Sequence, residues 1–306
     1  MRWLDKRYHS LNYELRKLFG KKVIKLSLNG GFTCPNRDGT IGTKGCLFCS
    51  DYGSGEFAGN KKLSIKEQIF QQIDLLSDKW RTGKYIAYFQ SFTNTYGTIE
   101  DLRDKYEQAL SVEGVVGLAI ATRPDCLSED ILDLLEEFSN KCYLWVELGL
   151  QTIHDDTARL IRRGYPLMTF DDALKRLRSR GINVVVHLIL GLPKEDYKDM
   201  IESVKYVSEE DIQGVKFHLM HILKGTDLYE YYKEHPFSLL SKNEYISIVS
   251  DAIEILDPNI VIHRLTGDGA KDMLIAPRWS LNKLGVLSGI DMELKRRNSY
   301  QGIKSE

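Results

Sequence analysis

Short apolar segments alternate with amphipathic helical segments six times between residues 23 and 219, and this alternation limits the possible folds more than any other feature. Apolar strands separated by helices predict a parallel sheet covered by helices. Right-handed crossovers curl such a sheet toward a barrel, and six units are too few for the closed eight-stranded form. We therefore predict an α/β fold, a partial (β/α)6 barrel similar to a TIM barrel, with a mostly helical C-terminal extension.

The predicted strands are 23–28, 85–90, 115–121, 142–148, 182–190 and 214–219. Apolar residues at helical spacing predict helices over 65–80, 100–110, 129–138, 169–181 and 197–207. Ser128 is expected to cap the third of these, and Thr169 with Asp172 to form a capping box at the fourth. In the extension, the pattern predicts a helix at 244–256, a strand at 261–265 that covers the open sheet edge, and a helix at 284–297.

Polar and glycine-containing segments follow the predicted strands, at the end where parallel α/β folds carry their functional groups. Function is therefore expected on this one rim. The segments are 34–49, Gln90–Tyr96, Thr122–Asp125, Glu147–Thr152, Gly191–Pro193 and His218–Thr226.

Three of the five cysteines lie in the loop after the first predicted strand, where Cys34 precedes the C-x-x-C pair Cys46 and Cys49 by eleven intervening residues. The loop is rich in Gly, Asn, Asp and Pro, so it can turn tightly. Three thiolates suit a zinc ion with a fourth ligand, or a [4Fe–4S] cluster with one iron free of protein ligands. No second C-x-x-C or H-x3–5-H pair completes a zinc site, which favours the open cluster without excluding zinc.

Charge and hydropathy place few limits on the partners. The 42 basic residues nearly balance the 43 acidic ones, so net charge argues neither for nor against nucleic acid. No apolar run approaches the ~18 residues of a membrane span, and the charged N-terminus lacks a signal-peptide core. An odd cysteine count also disfavours a disulfide framework. We expect a soluble cytoplasmic protein with a basic N-terminal segment (1–22), a core (23–230) and a C-terminal extension that packs on the core (231–306).

The three-cysteine loop ending in Cys-Leu-Phe-Cys, ahead of six βα units, resembles the radical S-adenosylmethionine (SAM) superfamily. The eleven-residue first gap resembles the branch that contains the Elongator catalytic subunit and its bacterial relatives. Further segments are similar to this branch and to the oxygen-independent coproporphyrinogen oxidases: Ala121–Cys126, Glu147–Thr152, His187–Pro193 and His221–Thr226. The tail segments His263–Asp268 and Leu274–Trp279 resemble a bacterial subgroup of the same branch.

This resemblance implies that Cys34, Cys46 and Cys49 ligate three irons of a [4Fe–4S] cluster, while SAM chelates the fourth iron. Reductive cleavage of SAM would give a 5′-deoxyadenosyl radical that abstracts hydrogen from the substrate. A flavodoxin- or ferredoxin-type protein would supply the electron. The resemblance also assigns a set of residues to SAM binding: Phe48, Gln90, Ser91, Phe92, Gln151, Arg163, His187 and Gly191.

Several of these residues have a simpler structural explanation. Gln151 also suits a polar cap at a strand end, and Arg163 a solvated helix end. His187 in an apolar strand suits a buried histidine of the core, and Gly191 suits a tight turn. Cys126 and Cys142 are expected to be small buried apolar side chains. Beyond the cofactor ligands, the sequence assigns no catalytic residue.

For the substrate, the resemblance implies a wobble-uridine side chain of transfer RNA. Basic groups lie in 1–22, Lys175–Arg180 and Lys295–Arg297, a pattern that suits RNA contact or ordinary solvated helix faces. Aromatic residues accompany the first and last group: Trp3, Tyr8, Tyr13 and Tyr300. The alternatives are a radical enzyme on a small molecule such as a tetrapyrrole, and a zinc-stabilised RNA-binding protein without turnover.

Overall fold

Seven parallel strands form one curled sheet in the computed structural model, which describes residues 3–53, 55–77 and 83–305. The strands, in their order across the sheet, are β1 (Ile24–Leu28), β2 (Tyr85–Phe89), β3 (Val115–Thr122), β4 (Tyr143–Gln151), β5 (Asn183–Leu190), β6 (Gly214–Leu219) and β8 (Val261–Arg264). β7 (Ile222–Leu223) and β9 (Leu274–Ala276) form a separate antiparallel pair. The predicted partial barrel is confirmed.

The helices of the βα units cover the outer face of the sheet. The α-helices in the described ranges are α1 (Leu11–Phe19), α2 (Ile65–Ser77), α3 (Ile99–Leu110), α4 (Glu129–Lys141), α5 (Asp155–Leu160), α6 (Leu167–Ser179), α7 (Tyr197–Glu209), α8 (Asp227–Glu234), α9 (Lys242–Ile255) and α10 (Lys283–Arg296). A 3-10 turn spans Arg278–Leu281. The main core lies between sheet and helices, where Leu26, Phe89, Phe138 and Phe217 are fully buried. None of the helices in the described ranges has the length and apolar character that crossing a bilayer requires.

Two predicted helix starts differ in detail from the structure. α6 begins at Leu167 directly after Pro166, so the capping box predicted at Thr169 and Asp172 is wrong. Pro166 itself is the N-cap, three residues before the predicted cap. Ser128 does occupy the N-cap of α4, although its side chain makes no capping hydrogen bond. Trp80 and Arg2, which belong to a predicted helix and to the basic segment, lie outside the described residues.

The N-terminal helix closes the amino end of the barrel. Leu15 of α1 packs against an inner cluster made by Val23, Ile86, Trp145 and Val185, which lie near the starts of their strands. The aromatic residues Trp3 and Tyr8 of the basic segment are buried, at 6% and 7% exposure. They are therefore packing residues and offer no stacking surface.

The C-terminal extension completes the sheet. β8 pairs in parallel with β6, as expected for the strand predicted to cover the open edge, and α9 packs against α7 and α10. The Gln301 side chain donates to the carbonyl oxygens of Asp257 and Ile260 at 2.7 and 2.8 Å and accepts from the His9 amide at 2.8 Å. These bonds tie the end of the chain to its beginning.

Candidate active site

The cysteine loop leaves the carboxyl end of β1 and folds back on itself. The Pro35 carbonyl accepts from the Ile41 amide at 2.8 Å, and the Asn36 carbonyl accepts from the Gly45 amide at 2.6 Å. Gly45 has φ +75°, and a Cβ there would lie 2.8 Å from Nε of Arg37. Glycine is therefore required where the loop turns back toward the C-x-x-C pair.

All three cysteines of this loop are free thiols in one electrostatic neighbourhood. The pKa of Cys46 is raised to about 12, chiefly by burial and then by the neighbouring Cys49 and Cys34, while Arg123 and a 3.6 Å hydrogen bond from Asn36 Nδ2 oppose the rise. The Arg37 guanidinium donates to the carbonyls of Cys49 and Ser50 at 2.8 and 2.7 Å. The loop thus gathers three sulfurs between two cations, an environment suited to an anionic thiolate centre.

The sulfur spacing bears on which metal centre these residues fit. Tetrahedral zinc with 2.3 Å bonds holds its sulfurs about 3.8 Å apart. Among the described residues, the cysteines are not part of any group of three ligand atoms within 4.8 Å of one another; that spacing is met by His154, Asp199 and Glu202 on the outer surface. The three thiols therefore do not form a tetrahedral zinc site as they stand.

The segment after β2 packs directly beneath the chain that follows Cys49. Ser91 is fully buried, yet its Oγ has no hydrogen-bond partner in the described part of the chain. Gly55 covers it, because a Cβ at Gly55 would lie 1.8 Å from that oxygen. Phe92, with φ +61°, places its ring against Gly53 in the same way. The predicted neighbours Ser91 and Phe92 therefore do lie beside the cysteine loop, and Gln90 precedes them at the end of β2.

Gln151 ends β4 with φ +63°, and its buried Oε1 also has no partner among the described residues. A Cβ at Gly149 would lie 2.5 Å from Gln151 Nε2, so glycine makes room for this side chain. Buried polar atoms are almost always hydrogen-bonded. The orphaned oxygens of Ser91 and Gln151, both at the carboxyl ends of strands, fit a site that a polar ligand completes.

Arg163 occupies a different kind of position from the one predicted. Its side chain is 1% exposed, and it donates to the carbonyls of Leu150, Thr152 and Tyr165 at 2.6–3.0 Å and to Asp155 Oδ1 at 3.2 Å. Four of its five N–H groups are thereby engaged by the protein. Arg163 therefore shapes the end of β4, with one donor left for a ligand.

Gly191 and Phe48 also lie on the rim. Gly191 follows β5 with φ +84°, its amide donates to Met200 Sδ at 3.2 Å, and a Cβ would lie 3.1 Å from Leu240. Phe48 is half-buried against the apolar cluster of Leu47 and Met220. His187, by contrast, lies deeper inside the barrel, where its Nε2 is 2.9 Å from Glu147 Oε2.

The sequence analysis named His187 but did not anticipate the buried polar cluster around it. We call the barrel interior at this cluster the barrel chamber; the residues that border it are Lys25, Tyr88, Glu147, His187 and Lys216. Lys216 Nζ donates to Glu147 Oε2 and, at 3.1 Å, to the Tyr88 hydroxyl, while Lys25 Nζ lies 3.6 Å from Glu147 Oε1. Trp145 Nε1 donates to the same carboxylate at 2.9 Å. The sequence signal that could have identified them is a single charged residue in each of several apolar strands. These residues alternate along the strand with the side chains of the outer core.

The cations determine the protonation states in the barrel chamber. Burial alone would raise the pKa of Glu147, but Lys216, Lys25 and the bond to His187 hold it well below the usual range. Burial, assisted by Lys216, lowers the pKa of His187 to about 4. At neutral pH the chamber therefore holds an ionised carboxylate and a neutral imidazole.

The lowered pKa of His187 predicts acid-sensitive stability. In the unfolded chain the imidazole has a pKa of about 6.5, so between pH 6.5 and 4 it binds a proton that the folded protein, with a pKa of about 4, excludes. The stability is therefore fully present at pH 8 and is lost as the pH falls through this window. At pH 5.5 the loss of unfolding free energy through His187 alone is about 1.4 kcal/mol. Anaerobic melting of the wild type and His187→Gln at pH 8 and 5.5 measures this. The variant should show a fall in melting temperature that is smaller by roughly 3–6 °C. The exposed control His235→Gln should keep the wild-type dependence, and equal falls in all three would contradict the assignment.

Comparison with protein families matches two regions of the chain. The model described as Radical SAM superfamily matches residues 34–207, and that of the Radical_SAM C-terminal domain matches residues 212–296. The chain is 49% identical over 298 residues to YtqA of Bacillus subtilis (strain 168), covering 97% of this chain and 92% of that protein. It is 37% identical over 292 residues to YhcC of Escherichia coli (strain K12), covering 95% and 93%.

A more distant relative is named for its activity. The tRNA uridine(34) acetyltransferase of Dehalococcoides mccartyi is 25% identical over 235 residues, which are 70% of this chain and half of that protein. Among solved structures, the archaeal Methanocaldococcus infernus Elp3 with an N-terminal deletion superimposes with a TM-score of 0.69 at 19% identity, over 91% of this chain and 64% of that one. Streptococcus suis SuiB bound to S-adenosylmethionine gives 0.52 at 13% identity, over 83% and 53%. These structural matches support the fold.

Proposed function

Because the chain belongs to the radical SAM superfamily and is a radical SAM enzyme, we propose that its substrate is a wobble-uridine side chain of transfer RNA. The D. mccartyi relative, which is named as an enzyme that acts on tRNA uridine 34, supports this substrate. So does the match to Elongator complex protein 3 of Saccharomyces cerevisiae (strain ATCC 204508 / S288c), 28% identical over 52% of this chain. The chain spans half or less of both proteins, so their whole activities are not carried over.

We assign the cofactor site to the rim. Cys34, Cys46 and Cys49 would hold the [4Fe–4S] cluster, and SAM would lie between the cysteine loop and the carboxyl ends of β2, β4 and β5. When bound, these cofactors supply the 5′-deoxyadenosyl radical that removes hydrogen from the substrate. Ser91 Oγ and Gln151 Oε1 are the buried acceptors that SAM would satisfy there. Arg163 keeps the end of β4 in place for this contact.

The observation that carries the RNA proposal is a set of four exposed lysines in loops that follow strands. They lie in the loops after β1, β5, β7 and β8, and none has an ion-pair partner among the described residues: Lys44, Lys194, Lys224 and Lys271. We call them the rim lysines. Unpaired cations around a site entrance favour a polyanionic substrate.

The basic groups considered from the sequence offer much less free charge. Arg176 and Arg180 pair with Glu129 on α4 at 2.6 and 2.7 Å, and Arg178 pairs with Asp211 at 3.0 Å. Arg296 and Arg297 both pair with Glu293 at 2.7 Å. These pairs neutralise the helix faces, so we place RNA contact at the rim.

The direct test is the nucleoside composition of transfer RNA from a strain that lacks the gene. We expect one wobble-uridine derivative to disappear and its precursor to accumulate, with restoration by the intact gene but not by a Cys46→Ala version. If the nucleoside profile of the deletion strain equals that of a parent strain that expresses the gene, the result would instead support a small-molecule substrate.

Neutralising the rim lysines should weaken RNA binding in a salt-dependent way. We expect the variant with Lys44, Lys194, Lys224 and Lys271 all changed to Gln to bind bulk tRNA 10- to 100-fold more weakly at ~0.1 M salt, with the slope of log K against log salt reduced by about 3. A matched control changes four exposed lysines on helices to Gln: Lys66, Lys175, Lys205 and Lys295. Filter binding across a salt series measures both. Equal losses in the two variants would rule out the rim as the RNA contact.

A further inference from the structure

We propose that the barrel chamber recognises an oxyanion carried by the substrate, a carboxylate or phosphate group, which binds between Arg264 of the last strand and Lys25 of the first. This inference rests on the proposed function, because it names the chemistry of the group that the same site would take in. It adds a specificity determinant that lies below the cofactor ligands.

The charged side chains inside the barrel favour an anionic ligand. Three cations, Lys25, Lys216 and Arg264, face one interior carboxylate, Glu147. Lys216 is already satisfied by Glu147 and the Tyr88 hydroxyl. The next acid, Asp268, lies on the loop after β8, where it binds Lys283 at 2.6 Å and is 3.7 Å from Arg264 Nη2. Burial lowers the pKa of both lysines against the opposing charge of Glu147, so Arg264 is the cation whose charge the interior compensates least.

Unused hydrogen-bond donors also favour such a ligand. In the described part of the chain the Arg264 guanidinium donates no hydrogen bond, although its side chain is only 29% exposed. Lys25 is 20% exposed, its Nζ is 3.6 Å from Glu147 Oε1, beyond hydrogen-bond length, and it sits 4.3 Å above the Tyr88 ring. Leaving charged donors without acceptors away from water costs free energy. Lys25 shares Glu147 with Lys216, and Arg264 has only Asp268 at 3.7 Å, so both cations have hydrogen-bonding capacity that the described residues do not use.

Two neutral histidines add hydrogen-bond donors beside Arg264. Nε2 of His218 and of His221 is buried without a partner among the described residues, and the His218 ring lies 4.9 Å from His187. Gly267 and Gly269 lie over His221, since a Cβ at either would be 3.5 Å from its Cε1. Burial, with Arg264 nearby, lowers the pKa of His221 to about 4 and that of His218 well below its usual value. Both imidazoles are therefore neutral and free to donate one N–H each.

The topology explains why these groups meet. β1 and β8 are the two edges of the seven-stranded sheet, and Arg264 on β8 pairs in register with Lys216 on β6, which shares Glu147 with Lys25 of β1. Burial lowers the pKa of Lys25, and the positive charge of Arg264 adds to this. A planar guanidinium forms paired hydrogen bonds with carboxylate or phosphate, and the ammonium adds a point charge opposite it. An oxyanion between them would join the two open edges of the barrel.

Titration with small probes tests the chamber without any turnover. We will know the proposal holds if acetate or inorganic phosphate binds the anaerobic holoenzyme saturably by calorimetry while neutral acetamide does not. Arg264→Gln and Lys25→Gln should weaken that binding at least tenfold, Arg264→Lys by less than threefold, and the exposed control Lys66→Gln not at all. Binding of acetamide equal to acetate, absence of saturable anion binding, or an unchanged affinity in Arg264→Gln would each overturn it.

Two further measurements separate the sources of the anion. SAM itself carries a carboxylate, so a tenfold loss of SAM affinity in Arg264→Gln, with intact folding by melting, would assign the site to SAM and overturn the proposal. In the deletion strain, the accumulating nucleoside should gain mass on methyl esterification if it carries a carboxylate, or lose mass with phosphatase if it carries a phosphate. If the accumulating nucleoside is neutral, the chamber proposal is refuted but the RNA substrate is not. If the tRNA profile is unchanged, the RNA substrate is refuted, and the probe titration still tests anion binding in the chamber.

Discussion

Changing Cys34, Cys46 or Cys49 to Ala is expected to abolish cofactor-dependent SAM cleavage altogether, at least a thousandfold below the wild type. Each thiolate is one of only three protein anchors in this loop, so losing one leaves a four-iron cluster held by two ligands. Protein purified without oxygen should fall from about four irons per chain to a small fraction of that, and its brown colour should fade. Iron analysis and 5′-deoxyadenosine release measure the two effects.

The two remaining cysteines are the matched controls. Cys142 Sγ donates to the Phe138 carbonyl at 3.4 Å on the outside of the barrel, so Cys142→Ala should keep iron and activity. Cys126 is the sharper control, because its pKa is raised first by burial and in part by the charge of Cys34 nearby. If Cys126→Ala also loses the metal, or if the wild-type protein holds one zinc and no iron, the centre is a four-ligand site and the radical mechanism is refuted.

Changing Glu147 to Gln is expected to destabilise the protein by about 3–5 kcal/mol, because it removes the carboxylate from two buried cations. In a chain of this size that corresponds to a melting temperature lower by roughly 10 °C. The measurement is anaerobic thermal melting of the holoenzyme, with soluble yield as a second readout. The effect should exceed that of any single exposed ion pair in the protein.

Partner and surface variants decide whether the charge itself is responsible. Glu147→Gln with Lys216→Gln should recover part of the lost stability, since the uncompensated ammonium is gone. The surface control is Glu137→Gln, which breaks pairs with Arg103 and Lys141 on α3 and α4 but should change melting little. A double variant less stable than the sum of the single changes would contradict the ion-pair explanation.

The sheet was predictable because its signal repeats along the chain. Each strand from β1 to β6 is an apolar segment followed by a helix, and local patterns of this kind determine both strand order and the end that carries the loops. β8 was also anticipated, from the short apolar segment 261–265. The strand predicted over 142–148 instead spans 143–151, because contacts at the strand end, not periodicity, set its boundary.

The interior of the barrel was far less accessible to sequence reasoning. Lys25, Glu147 and Lys216 lie more than sixty residues apart along the chain, and only the curl of the sheet brings them together. Arg163 was predicted as a ligand contact because its position matched a motif, whereas its burial and four donor bonds depend on the bend after β4. The basic N-terminal segment was predicted as a solvated helix face or an RNA contact, and nothing in the sequence indicated that Leu15 would pack against the starts of the strands.

The closure of the amino end by α1 leaves the opposite rim as the entrance to the barrel. The N-terminal segment also bridges to β8, where the Ile262 amide donates to the His9 carbonyl at 2.7 Å, so this closure is tied to the last strand. On the proposed function, substrate and cofactor would both enter and leave through the rim at the carboxyl ends of the strands. Product and cleaved SAM would then share one exit.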